Sequence, residues 1–364
     1  MELAAIRAEL GVLEQVAYLN AGTFGPLPRR TLEAMVAADR RDHEQGRTGA
    51  WYPSEILELR EQVRAALAAA VSAPPGSIAL VRSTTEGCAI VCAGLGLERA
   101  DEVVTTDVEH FGLLGPLAAS GARVRVAPLR GRDPGEALAA IRAQLSPATR
   151  LIAISHVAWT TGQVLPVAEL AELGVPLLVD GAQSVGAIPV VLAGTGCAFY
   201  AFSGQKWLLG PGATGGLYVA PEWVERLQVR SPSYYSQQGY DATGAFVARD
   251  GASRFDSGWL SRATLDGLLA SLGFLDGLGE ERFGRALALA ERCRELLAGR
   301  VEVVTAAGQA TLVTWSSDDA AAESRHLAER GVVVRNLPNL PWVRASVGFW
   351  TSEDELQALA AALG

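Results

Sequence analysis

The chain has 364 residues, is 49% apolar and 20% charged, and carries a formal net charge of -9. That length exceeds one ordinary core and implies two domains; the composition excludes a disordered chain, and the acidic balance excludes nucleic-acid binding as the main function. None of the four cysteines forms a CxxC pair, and Cys88 and Cys92, four apart on an apolar helix pattern, read as buried thiols, so no metal is expected. The opening stretch from Met1 to Arg7 has no apolar signal core, and no apolar run reaches the roughly 20 residues of a membrane span. A cytoplasmic protein without a membrane partner is the expectation.

Residues 2–10 read as a short helix. The Gly/Pro-containing loop from Tyr18 to Pro28, with Asn20 and Gly22, either approaches a ligand closely with its backbone or is a plain connector. Helical periodicity follows over 30–45 and 54–72. Strand and helix patterns alternate from residue 78. Ile78–Val81 reads as a strand, and Ser83 to Glu86 is an S-x-x-E capping box that opens an apolar helix through Ala93. Strands at 102–106, 123–126, 150–154, 175–179, 198–202 and 214–219 bring the set to seven, with a helix around 134–144. Several are continuous apolar runs, as strands buried on both faces are. The fold class is α/β, a mainly parallel seven-stranded sheet with helices on both sides.

After residue 260 the pattern changes. Long helices at 262–278 and 280–298 precede shorter strands at 301–304, 310–315, 332–335 and 343–347, and a last helix at 352–362. These predict a smaller α+β domain. The division is 15–258 for the large domain, with 1–14 and 259–364 in the small one.

Lys206 is the only lysine among 31 Lys and Arg residues. Arginine serves any site that needs only charge. A primary amine can also lose its proton and attack a carbonyl to form a Schiff base. Polar residues cluster just after the carboxyl ends of the apolar runs, where ligands sit in open α/β sheets. Asp180 there is either a turn cap or a carboxylate that keeps a pyridine nitrogen protonated. His110 is either a satisfied, partly buried histidine or a flat partner for a ring. The helix start at Ser83 either is simply capped or binds phosphate through its free N–H groups, and Ser203 could join it. Together these groups specify pyridoxal 5'-phosphate.

These motifs resemble the class V aminotransferase family of fold type I, over nearly the whole chain from Tyr18 to Leu363. Ser203-Gly-Gln-Lys206 is similar to its cofactor-lysine signature, Asp180-Gly-Ala-Gln183 to its D-x-x-Q motif, Glu109-His110 to its E-H pair, and Thr84-Thr-Glu86 to its phosphate turn. The run from Arg344 to Thr351 resembles its R-x-S motif. The resemblance implies that Lys206 holds the cofactor and shuttles the substrate Cα proton, Asp180 pairs with the pyridinium, Gln183 binds the phenolic oxygen and His110 stacks on the ring. It implies Thr84, Thr85, Ser203 and Gln205 for the phosphate. Arg344, Asn20, Gly22 and Trp159 would meet an amino-acid substrate, with Arg344 on its α-carboxylate. A homodimer is also implied.

Three branches of the family compete. Cysteine desulfurases need a cysteine shortly before the carboxylate-binding arginine, and none follows Cys293. The run from Ser155 to Pro166 resembles the cysteine/cystine C–S lyases, and Trp159 replaces the Asn common in desulfurases. β-Elimination on a sulfur amino acid is therefore the expected reaction. Amino transfer to a keto acid, or a related epimerisation, is the alternative, and an inactive scaffold is the non-enzymatic one. In Arg254-Phe-Asp-Ser-Gly-Trp259 the family's threonine is replaced by Trp259, which puts a cross-subunit phosphate contact in question.

Overall fold

A computed structural model describes residues 2–49 and 51–363. Strands β1 (Ile78–Val81), β2 (Glu102–Thr106), β3 (Arg123–Ala127), β4 (Thr149–Ser155), β5 (Leu177–Asp180), β6 (Phe199–Ser203) and β7 (Gly215–Val219) form one sheet in the order β1-β7-β6-β5-β4-β2-β3. All neighbours run parallel except β7, which is antiparallel to both β1 and β6. Alternate side chains enter two different cores. Leu80, Val104, Ile152, Val179 and Phe202 lie in one, and Ala79, Val103, Leu151, Leu178 and Ala201 in the other. Both faces are covered, which is why these strands read as continuous apolar runs rather than as alternation.

Helix α1 (Arg29–Gln45) and helix α2 (Trp51–Ala70) precede the sheet. Helix α3 (Thr84–Gly94) follows β1, and helix α4 (Phe111–Ala119) follows β2. The α4 segment contains Gly112, Gly115 and Pro116 and carries no helix pattern in the sequence. It forms because Leu113 and Leu117 are buried against α3 and because His110 caps its first turn. Helix α5 (Arg262–Asp276) packs on α1 and α2, and helix α6 (Glu281–Leu297) leads to the second sheet.

That sheet has three antiparallel strands, β8 (Leu312–Ser316), β9 (Arg335–Asn336) and β10 (Trp342–Ser346), in the order β8-β10-β9. Helices α7 (Ala320–Glu329) and α8 (Glu353–Ala362) complete its surroundings, and Trp315, Val343 and Leu359 lie in a third core. Two expectations fail here. The 301–304 segment is no strand but makes isolated bridges, because Thr314 donates its N–H to the Thr305 side-chain hydroxyl instead of a neighbouring backbone carbonyl. The 332–335 segment is not one strand: Val332–Val333 pairs in parallel with Ala17–Tyr18, and Arg335–Asn336 pairs with β10. No described helix is long and apolar enough to cross a membrane.

Candidate active site

Chain order switches direction between β2 and β4, which are sheet neighbours although β3 lies between them in sequence. The ends of β4, β5 and β6 beside that switch point deliver Ser155, Asp180 and Ser203. A cavity of about 160 Å³ opens there, lined by Thr84, Thr85, His110, Trp159, Asp180, Gln183, Ser203, Gln205 and Lys206 among others.

The α3 end of the cavity is held by side chains. Ser83 accepts from the Glu86 N–H at 3.1 Å, and Ser203 Oγ accepts the Thr84 N–H at 3.0 Å. The Glu86 carboxylate does not close the capping box. It accepts the Arg82 N–H and the Ser257 hydroxyl, both at 2.6 Å, and so turns away from the cavity. Among the described residues the Thr85 N–H has no hydrogen-bond partner, and the Gln205 side-chain oxygen is buried without one. A helix N-terminus with one uncommitted N–H and two hydroxyls is suited to an anion, and the Gln205 amide can join them by presenting its NH2 rather than its oxygen.

At the other end Asp180 is 4% exposed. One carboxylate oxygen accepts the Ala182 N–H at 2.9 Å, and burial raises its pKa while Lys206 and that N–H hold it down. A Cβ at Gly181 would stand 2.1 Å from the Tyr200 ring, so glycine lets the chain pass over that ring directly after Asp180. His156 serves the same corner: its N–H donates to the Asp180 carbonyl at 2.9 Å and its ring meets the Tyr200 hydroxyl at 2.7 Å.

Burial pushes the Lys206 amine down to about 8; Asp180 opposes this, while Arg344 and Arg335 add to it. At pH 7 such an amine is uncharged roughly 300 times more often than one at the ordinary value. His110 accepts the Gly112 N–H on Nδ1 at 3.0 Å and meets Trp159 edge to face at 5.1 Å between centroids. Burial and the cations Lys206, Arg335 and Arg344 lower it to about 4, so the imidazole is neutral at pH 7. Gln183 accepts from Trp207 Nε1 at 2.9 Å and donates to the Gly22 carbonyl at 2.8 Å, which leaves its second N–H for a ligand.

Arg344, Gly22 and Asn20 are not among the residues lining the cavity; Arg344 and Gly22 meet the lining residues Trp159 and Gln183 instead. Arg344 is 1% exposed, donates from Nη1 to the Trp159 carbonyl at 2.6 Å, and has a buried Nε without a partner. Burial, then Arg335, lowers it to about 9, and no carboxylate offsets them. A Cβ at Gly22 would lie 2.7 Å from Arg344 Nη2, so only glycine leaves that guanidinium its place. The Asn20 side-chain oxygen accepts from Thr23 Oγ1 at 2.8 Å, and its backbone bridges Ser346.

The aminotransferase class-V family model matches residues 17–359. The chain belongs to that family. The family is pyridoxal-phosphate dependent, and this class V chain is a lyase- or aminotransferase-type enzyme of fold type I. It is 33% identical to the isopenicillin N epimerase of Streptomyces clavuligerus, over 96% of this chain and 94% of that one. It is 29% identical to a probable cysteine desulfurase of Methanothermobacter thermautotrophicus, over 78% of this chain and 72% of that one. Among solved structures, the cystine C–S lyase C-DES in complex with cysteine persulfide superposes with a TM-score of 0.92 at 31% identity, covering 97% of this chain and 98% of that one.

Sequence reasoning missed one cation of this class V site. Arg335 lies directly opposite Arg344 on β9 and acts on Lys206, His110 and Arg344 alike. The register that places it there is not written in the sequence, because residues 332–335 divide between two sheets.

Proposed function

We propose that this enzyme removes the α-proton of a sulfur-containing amino acid and expels the thiol or persulfide from Cβ, releasing pyruvate and ammonia. The likeness to the cystine C–S lyase over 97% of the chain carries the reading. The cysteines support it. All four are buried, and burial pushes every thiol upward, so none is a ready nucleophile for a desulfurase-type sulfur transfer.

The residues around the cavity fit pyridoxal phosphate. The uncommitted Thr85 N–H, with the Thr84 and Ser203 hydroxyls, suits its phosphate, and the Gln205 amide would donate from its NH2. Asp180 suits its ring nitrogen and Gln183 its phenolic oxygen. When bound, the cofactor supplies an electron sink for the carbanion. Lys206 would hold its aldehyde, and its amine would carry the proton removed from Cα. The neutral His110 ring, held edge to face against Trp159, would cover the face of the cofactor ring and adds no charge of its own beside Lys206. Arg344 receives the substrate α-carboxylate as a two-pronged donor, with Gly22, Asn20 and Trp159 shaping that side. A division at 258/259, a homodimer and a cytoplasmic location belong to the same reading.

A second reading, amino-group transfer or epimerisation, is favoured by the similarity to an isopenicillin N epimerase. Cystine supplied to the cofactor-loaded enzyme without a keto acid separates the two. Elimination gives pyruvate and ammonia one for one. Amino transfer that appears only on adding pyruvate or glyoxylate, or inversion at Cα without pyruvate, would establish the second reading. Loss of the cofactor absorbance band in Lys206→Ala shows that the cofactor is mounted on that amine; a band in the parent enzyme that no amino acid perturbs would revive an inactive scaffold.

A further inference from the structure

Tyr200 and Phe202 lie two apart on β6, so they point to the same face, and both are fully buried in the same apolar core. A hydroxyl taken out of water into such a core costs free energy unless it is hydrogen-bonded. Phe202 shows that the core accepts a ring without one. The Tyr200 hydroxyl is bonded twice, to His156 Nδ1 at 2.7 Å and to Ser184 Oγ at 2.5 Å. His156 directly follows β4, and Ser184 lies at the far end of the turn that begins where β5 ends at Asp180. One hydroxyl therefore ties β6 and the end of β4 to that turn.

The start of the turn is pinned by backbone bonds to its neighbours: Gly181 donates its N–H to the Ala201 carbonyl, and the Asp180 carbonyl accepts the His156 N–H. Further along, the holds from outside come through side chains, Gln183 to Trp207 and Gly22, and Ser184 to Tyr200. The two residues read as meeting the cofactor ring differ in what aims them. The Gln183 amide is gripped from outside the turn. Among the described residues the Asp180 carboxylate accepts only the Ala182 N–H, a group of the turn itself, at 2.9 Å. Ala182 sits between Gly181, which passes directly over the Tyr200 ring, and Ser184, which the Tyr200 hydroxyl holds.

We propose that Tyr200 is a positioning residue for Asp180: its ring under Gly181 and its hydroxyl on Ser184 fix the 181–184 turn, and with it the Ala182 N–H that aims the carboxylate at the cofactor's ring nitrogen. This rests on the reading of Asp180 as the partner of that nitrogen. It is independent of whether elimination, transfer or epimerisation follows.

Pyridoxal phosphate carrying the heavy nitrogen isotope in its ring, bound to the enzyme, reports the protonation of that nitrogen by NMR. In the parent the signal should be that of a protonated ring, and Asp180→Asn should move it toward the unprotonated position. Tyr200→Phe removes only the hydroxyl. It should move the signal in the same direction by a smaller amount, and weaken cofactor binding to the apo-protein by up to about tenfold, the scale of one net hydrogen bond. Ser184→Ala, which removes the partner of that hydroxyl, should act in the same direction. Ile152→Val trims the same core in mid-strand. It should lower the melting temperature and leave the signal in place. A lower melting temperature in Tyr200→Phe with the signal at its parental position would make the hydroxyl merely structural and overturn the proposal. So would movement in Ser184→Ala but not in Tyr200→Phe, because the Ser184 bond to the Gly181 carbonyl would then be what holds the turn. If Asp180→Asn leaves the signal unchanged, the reading of Asp180 fails and the proposal with it. If Asp180→Asn moves the signal and Tyr200→Phe does not, the proposal fails alone.

Discussion

Thr84 and Ser203 stand 119 residues apart and share a hydroxyl–hydroxyl hydrogen bond of 2.6 Å. The same Ser203 oxygen accepts the Thr84 N–H, so the first turn of α3 is locked to the end of β6. Lys206 follows three residues later, and the position of the amine relative to the α3 N-terminus depends on this joint. Ser203→Ala leaves a buried N–H unpaired, at a cost of about 1–3 kcal/mol. Pyridoxal phosphate should then bind the apo-protein roughly tenfold to a hundredfold more weakly in an absorbance titration. Unchanged affinity would remove Ser203 from the site.

Glu109 lies buried beneath the site and accepts from Thr106 Oγ1, Ser155 N and Ser155 Oγ. Burial outweighs these bonds, and Asp180 adds to it, so the carboxyl is pushed up to about 7. A group raised in the folded state stabilises below its ordinary value of 4.5 and loses that contribution as pH rises through the folded value. Apo-protein stability should therefore fall between about pH 4.5 and 7 from this group, and Glu109→Gln should flatten that slope in melting curves taken across the range. An identical slope in the variant would contradict the assignment.

Gly22→Ala places a methyl group 2.7 Å from Arg344 Nη2 and 2.9 Å from Ser346 Oγ. Arg344 must move, and its hydrogen bond to the Trp159 carbonyl moves with it. Substrate KM should rise roughly tenfold or more, the scale of one charge-assisted contact, while the absorbance of the bound cofactor stays as it was. A variant with parental KM would show that the guanidinium tolerates displacement.

Asp256 accepts from Arg60, Arg64 and the Leu80 N–H of β1, all within a buried setting. Asp256→Ala leaves the buried Arg60 guanidinium without a carboxylate and Arg64 with only the exposed Glu61, and breaking a buried pair by removing one partner costs about 3–5 kcal/mol. The urea midpoint should fall sharply. The segment through Trp259, which rests on Tyr235 at 6.0 Å between centroids, should become more sensitive to protease. A midpoint close to that of the parent would show that water or another group takes over the carboxylate's role.

Much of the sheet was legible because its signal is local. A strand buried on both faces must be apolar at every position, and Ile78–Val81, Glu102–Thr106 and Gly215–Val219 lie on or within one residue of their predicted spans. The α4 helix was not legible, since its glycines and proline argue against it and only packing on α3 overrules them. The small strands were misread for a related reason: at Val334 the chain changes sheets, and a two-residue pairing leaves no periodicity to detect. Lys206 and Asp180 stood out because few other residue types can do what an amine and a buried acid do. Arg335 did not, because one arginine in a chain that uses arginine for nearly every cation carries no mark of its own.

The sequence by itself determined the chemical inventory: one amine, a carboxylate at a strand end, a cappable helix start and an arginine late in the chain. These follow from side-chain chemistry and from the short-range periodicities of strand and helix. Only the tertiary structure decided which cations face each other and which are left without a counter-charge. Register between strands far apart in the chain is set by how whole layers bury their apolar faces, and no local stretch encodes it.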